Sequence, residues 1–119
     1  MNDKLTNQKG PQRLEIFKQN FLDDTIFEEF IDSCLFDEIN LVNCDFDGSE
    51  FLGTIFISCS FENCTFKNTT IRKSKFTNCE FKNCQFLNCQ LTPKTEFFQT
   101  SFRKCRFSIV APIKDTFFL

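Results

Sequence analysis

From residue 16 to residue 91 every fifth position holds Phe, Ile or Leu, without a break. In order they are Ile16, Phe21, Ile26, Ile31, Phe36, Leu41, Phe46, Phe51, Phe56, Phe61, Phe66, Ile71, Phe76, Phe81, Phe86 and Leu91. That is 16 matches in 16 positions, whereas the three residue types make up only 37 of 119 residues, so composition alone does not produce the period. Five residues of α-helix advance about 500°, which scatters the apolar positions around the axis. In a straight strand side chains alternate, so an odd spacing sends successive rings to opposite sides. A chain that turns a corner in every five residues escapes both objections, because each apolar residue then points at one central axis.

The neighbours of this central position agree. Two residues before it stand Cys34, Ile39, Cys44, Ser49, Thr54, Cys59, Cys64, Thr69, Ser74, Cys79, Cys84 and Cys89. Residues two apart on a strand share a face, so these compact side chains also point inward beside the large one. Two residues after the centre come Asn43, Gly48, Gly53, Asn63, Asn68, Asn78, Asn83 and Asn88. Gly and Asn tolerate the left-handed backbone that a type II corner needs. Each unit therefore predicts three extended residues and a corner, with polar residues outside.

Runs such as CSFEN-CTFKN and CEFKN-CQFLN resemble the pentapeptide repeat family, over roughly residues 14–110. The resemblance implies an all-β fold, a right-handed quadrilateral parallel β-helix with four pentapeptides per coil and about four to five coils. Phe largely replaces the family's Leu at the centre here, and Cys, Ser or Thr replaces its Ala.

Boundaries follow. Met1–Arg13 is polar and reads as a flexible tail or cap, without the apolar core of a secretory signal. No run of 18 apolar residues exists, so no transmembrane helix is expected. Residues 14–111 form the predicted β-helix. Its opening, Leu14–Ser33, puts Gln19, Asp24 and Glu29 at the inward small position, which predicts an irregular first coil and leaves open whether residues 1–33 form regular coils or a partly helical cap. The register slips by one residue at Pro93-Lys94-Thr95, a predicted bulged corner. It resumes with the centres Phe97, Phe102 and Phe107 and the small residues Thr95, Thr100 and Cys105. Residues 112–119 are read either as a lid on the open end or as a dimer segment with contacts through Phe107, Ile113, Phe117, Phe118 and Leu119.

All eight cysteines (Cys34, Cys44, Cys59, Cys64, Cys79, Cys84, Cys89 and Cys105) fall at the inward small position, where a free thiol packs as a small hydrophobe. Stacked coils hold equivalent Cβ atoms near 4.8 Å, beyond the ~3.5–4.5 Å of a disulfide. Spacings of five, with no His in the chain, do not make a metal site. Free buried thiols predict a reducing, cytoplasmic setting. Nothing points to catalysis, to a cofactor or to a phosphate loop.

Charge is unevenly spread. Residues 1–62 carry 13 acids and 4 bases, a balance of −9, while residues 63–119 carry 3 acids and 10 bases, a balance of +7. Either opposite charges pair between coils, as Glu62, Lys82 and Arg103 on one outward column suggest, or the gradient steers a partner. Two readings of function remain. One is a non-enzymatic scaffold that binds another protein. The other comes from the resemblance to Qnr-type and microcin-immunity proteins: a DNA mimic acting on a type II topoisomerase, with Asp37, Glu38, Asp45, Asp47 and Glu50 standing in for phosphates. Direct nucleic-acid binding through Lys67, Arg72, Lys73, Lys75 and Lys82 is disfavoured by the acidic half and by the lack of Tyr and Trp. No membrane contact is expected. A homodimer through the C-terminal end is one reading of residues 112–119, and the lid is the other. An apolar outward set, Leu35, Ile55, Ile57 and Phe98, marks one further face.

Overall fold

Corner residues decide the course of the backbone. At the described corners from residue 18 to residue 104 the backbone is left-handed, from Lys18 (φ 52°) and Asp23 (φ 56°) through Gly48 (φ 80°) to Lys104 (φ 54°), whereas Ile109, two after Phe107, stays in its strand. Fifteen of these residues are not glycine, and they include Glu38, Ser58, Lys73 and Gln99 as well as the expected Asn. Such a conformation costs an L-residue roughly 1–2 kcal/mol. Here it aims the corner N–H at the next coil: Asn43 donates to the Glu62 carbonyl, and Asn63 to that of Lys82, both at 2.9 Å. At Phe46–Ser49 the corner closes on itself, Ser49 N–H donating to the Phe46 carbonyl at 3.1 Å around Gly48.

The computed structural model describes residues 15–23, 30–91, 94–109 and 116–118. They form an all-β parallel solenoid of about four coils. The first face holds β1 (Glu15–Phe17), β4 (Leu35–Asp37), β7 (Ile55–Ile57), β10 (Lys75–Thr77), β13 (Thr95–Phe98) and β16 (Thr116–Phe118). The second holds β2 (Asn20–Leu22), β5 (Asn40–Val42), β8 (Ser60–Glu62), β11 (Glu80–Lys82) and β14 (Ser101–Arg103). The remaining two faces are joined by β12 (Gln85–Leu91), which runs through a corner. One carries the bridges Asp45–Thr65 and Thr65–Gln85 and then β15 (Arg106–Ile109). The other carries β3 (Phe30–Asp32), β6 (Glu50–Leu52) and β9 (Thr70–Arg72).

Register is constant at 20 residues: Leu35 pairs with Ile55, and Leu41 with Phe61. Beyond the slip the step becomes 21, Lys75 pairing with Glu96 and Glu80 with Ser101. The extra residue lies between Leu91 and Thr95, where Lys94 takes the left-handed corner (φ 60°).

Constant register stacks like on like. Phe36, Phe56, Phe76 and Phe97 form one column with ring centroids 4.7–4.9 Å apart. Phe46, Phe66, Phe86 and Phe107 form another at 4.6–4.9 Å. A third runs Phe61, Phe81 and Phe102 at 4.4 and 4.9 Å. Neighbouring columns meet edge to face, as between Phe56 and Phe61 at 5.5 Å. The ring quadrupole favours both arrangements. Phe36, Leu41, Phe46, Phe51, Phe56, Phe61, Phe66, Ile71, Phe76, Phe81, Phe86, Leu91 and Phe97 are all at most 2% exposed. Where Leu41 replaces a ring, Ile39 replaces the small partner, and both are fully buried. The pair fills with two branched chains the space that Cys59 and Phe61 fill one coil on, a volume-conserving exchange.

Three inward side chains are less buried than the others. Phe107 is 44% exposed, and Phe102 and Cys105 are only half buried. Each has a coil beneath it, but β14 and β15 are the last strands of their sheets. Phe97 escapes this, since β16 pairs beyond β13. The opening coil differs from expectation. Its described residues are strands, not helix, in the same register of 20 as the coils above. Backbone bonds carry it, Lys18 N–H to the Asp37 carbonyl and Asp23 N–H to that of Val42, both at 2.9 Å. Gln19 avoids burial because its side chain is exposed. Asp24, Glu29, Ile26, Pro112, Ile113 and Leu119 lie outside the described residues.

The inward small position turns out to be a donor position. Cys59, Cys64 and Cys84 Sγ donate to the centre carbonyls of Phe36, Leu41 and Phe61, 23 residues earlier, at 3.3–3.5 Å. Thr54 and Thr69 Oγ1 do the same to Ile31 and Phe46 at 3.0 Å. After the slip, Thr95 and Thr100 repeat the bond at a step of 24, at 3.0 and 2.9 Å. A free thiol is thus both filler and weak donor here. All eight thiols are unbonded to one another as disulfides. Burial pushes the Cys89 thiol up to about 11. Cys64 is raised by hydrogen bonds with Cys44 and Cys84 and by burial, and Cys79 by its bond with Cys59 and by burial.

Three outcomes are expected. Phe61→Ala opens a cavity between packed coils and costs about 3–5 kcal/mol. Phe107→Ala, at the open end, costs much less in the same denaturant titration, and equal losses would contradict the end effect. Native thiols label slowly, with Cys105 first. Because the folded state holds the Cys89 proton to about 11 while an unfolded thiol loses it near ~8.5, the folded chain binds more protons in between. Stability therefore falls as pH rises across that window, and denaturation midpoints that stay flat there would contradict the burial.

Candidate interaction faces

Each five-residue unit shows solvent only three side chains: the two flanking the centre and the corner residue. Faces are therefore flat and short, and their chemistry is read column by column. The five candidate acids share one coil but not one face. Asp37 flanks Phe36 on the first face, and Glu38 is the corner after it. Asp45 and Asp47 flank Phe46 two faces further on, and Glu50 opens β6 on the next. They ring the rod instead of lining it.

Two of the five are engaged in structure. Asp45 Oδ1 accepts from the Asp47 N–H at 2.8 Å and from Thr65 Oγ1 at 3.2 Å. Asp47 Oδ1 accepts the Lys67 N–H of the next coil at 2.8 Å. Glu38 pairs with Lys18 at 3.8 Å, both ends well exposed. On the second face Lys82 sits in register between Glu62 and Arg103. Arg103 instead reaches Glu80 at 3.5 Å. Exposed pairs of this kind contribute little. Amides do more of the bonding between coils: Asn43 Nδ2 donates to Asp23, Asn63 to Asn43, Asn40 to Asn20 and Asn88 to Asn68.

The cations gather elsewhere. Arg72 closes β9, Lys73 is the corner after it and Lys75 opens β10, all exposed. Lys94 takes the equivalent corner one coil on. It was not legible as their neighbour, because the one-residue slip hides its column. Lys67 and Lys82 lie on the other two faces, so the five bases considered for nucleic acid do not converge. Arg103, Lys104 and Arg106 form a further exposed basic group at the last coil.

On the first face, Leu35, Ile55 and Ile57 are half buried and Phe98 is 42% exposed. Strand pairing brings them together: Leu35 beside Ile55, and Ile57 and Phe98 flanking Thr77. Of the candidate dimer contacts, Phe107 is exposed. Phe117 and Phe118 belong to β16, with only their backbone described. Among the described residues no group of His, Cys, Asp or Glu could hold a metal ion, and no helix is long and apolar enough to cross a membrane.

No curated protein matches the chain. Among solved structures, the pentapeptide repeat protein Rfr23 from the cyanobacterium Cyanothece 51142 matches with TM-score 0.52 at 7% identity, covering 89% of this chain and 88% of that one. That likeness shows the fold. QnrB1, a plasmid-mediated fluoroquinolone resistance protein, matches with TM-score 0.40 at 10% identity over 84% of this chain and 73% of its own, in a trypsin-treated R167E form. The solved neighbours are thus pentapeptide repeat proteins, as the repeat itself suggests. The family model that matches carries another name, the SV2A/B/C luminal domain, and it spans residues 4–86. With most of the chain inside that match, the chain belongs to the SV2 luminal domain family.

Proposed function

We propose that the chain is a non-catalytic repeat scaffold that binds another protein through its flat outer faces. The observation that carries this is the division of labour between inside and outside. Inward residues are used up by ring stacking and by bonds to backbone carbonyls, which leaves only short rows of outward side chains to do anything else. Solenoids present such rows on a rigid frame. The topoisomerase-directed reading has less support: its five acids circle one coil, where a mimic of duplex DNA needs rows of charge along the rod, and two of them bond to the coil itself. We place the scaffold in a reducing compartment, on the strength of eight free thiols. The luminal name of its family sets the competing expectation, which fractionation of the tagged chain separates.

Face-specific variants test the scaffold reading. Ile57→Lys, Lys82→Glu with Arg103→Glu, and Glu50→Lys each alter one face and leave the core intact. A partner crosslinked to the parent chain is expected to be lost by one of these sets and kept by the others. Loss only in core variants such as Phe61→Ala, with every face variant binding as the parent does, sinks the reading. A DNA supercoiling assay with a type II topoisomerase, with and without a quinolone, is expected to show no effect of the chain.

A further inference from the structure

We infer that the first face is a docking surface for a second copy of this chain, with the two copies related by a two-fold axis lying along an oblique apolar stripe. The register sets the direction of that stripe. Leu35 and Ile55 occupy the outward column before the centre, while Ile57, Thr77 and Phe98 occupy the column after it. Leu35, Ile55, Ile57, Thr77 and Phe98 therefore cross the face diagonally, from β4 at one corner to β13 at the other.

Charge divides along the same diagonal. Asp37 and the corner residue Glu38 lie on one side of the stripe. Lys73, Lys75 and the corner residue Lys94 lie on the other. A two-fold axis along the stripe exchanges its two sides. Apolar residues of one copy then meet those of the second, Asp37 and Glu38 meet Lys73 and Lys75 of the second copy, and the same contacts form again in reverse. An isologous contact of this kind must be self-complementary, and no other described face has both an apolar row and opposite charges on its two flanks.

Competing groups are few. Glu38 has Lys18 at 3.8 Å, but both are solvent-exposed and that pair exchanges at little cost. Glu96 is in register beside Lys75 at the far end of the basic side, and it partly offsets the positive charge there. The contact is also small. Four strands at about 4.8 Å spacing and a width near 12 Å give on the order of 200 Å² per copy, well below the ~800 Å² of stable complexes. The association is therefore transient and favoured by high concentration. It does not depend on what other protein the scaffold binds.

Sedimentation velocity of the purified full chain across the micromolar range tests this, with charge reversals as the probe. Asp37→Lys/Glu38→Lys makes both sides of the stripe basic, and Lys73→Glu/Lys75→Glu makes both acidic. Corner residues of both types already occur in the left-handed conformation here, so circular dichroism of each variant is expected to match the parent. Parent chain is expected to shift towards dimer mass with concentration, and each variant alone to self-associate about tenfold more weakly or worse. An equimolar mixture of the two recovers the parent's association. A parent that stays monomeric throughout, variants that dimerise like the parent, or a mixture that fails to recover each overturns the proposal. Any of these outcomes leaves the scaffold reading standing, since that is measured with a different partner.

Discussion

Everything in this molecule hangs on the parallel backbone ladder from one coil to the next. Parallel pairing leaves no freedom in register once a buried side chain must sit above its equivalent, since a slip of one residue would turn the ring outward. With the ladder fixed at 20 residues, the columns of rings follow, and so does the line of left-handed corners. The corners are individually unfavourable. They persist because corners such as Asn43, Ser58 and Asn78 point an N–H at a carbonyl of the neighbouring coil, and an unmade buried bond costs ~1–3 kcal/mol. Stability in such a stack is close to a sum over neighbouring coils, and the end coils have only one neighbour each. The exposure of Phe107 and the half-burial of Phe102 are that end effect made visible.

The inward small position shows how two demands meet in one residue. Ala would satisfy the space beside a Phe ring. Cys and Thr satisfy the space and also reach the carbonyl of the centre residue one coil back. Eight thiols in this chain thus need no redox or metal role to account for their number. Their spacing reflects the fold, and burial raises the Cys89 and Cys105 thiols.

Much of this was legible in the sequence because a solenoid converts periodicity into contact. Phe56 and Phe76 are stacked for the same reason that they are 20 residues apart, so counting was enough to name the column. The donor role of Thr54 was not legible, since nothing in a spacing says which carbonyl a hydroxyl will find. The regular strands of the first coil were not legible because Gln19 looked too polar to bury, and in that coil it is exposed. Surface chemistry was the least legible. Asp37 and Asp45 look adjacent in the chain, and two corners lie between them in space, whereas Lys73 and Lys94 look unrelated until the one-residue slip is taken out.

The same geometry limits what such a molecule can do. Among the described residues a corner every five positions keeps each face short and flat. It allows two outward residues and a corner per face per coil, repeated at the strand spacing. Recognition on that grid must be spread over several coils, because one coil offers too few side chains to hold a partner. A face becomes selective only where neighbouring coils differ in a directed way. The first face is where they do: it runs from Asp37 and Glu38 through Ile55 and Ile57 to Lys73 and Lys75. The second face, with Asn40, Ser60 and Glu80 stacked in one column, is bonded mostly to itself. Amide and hydroxyl ladders spend their hydrogen bonds within the rod, so a face built from them has little left to offer a partner, and the gradient on the first face stands out against it.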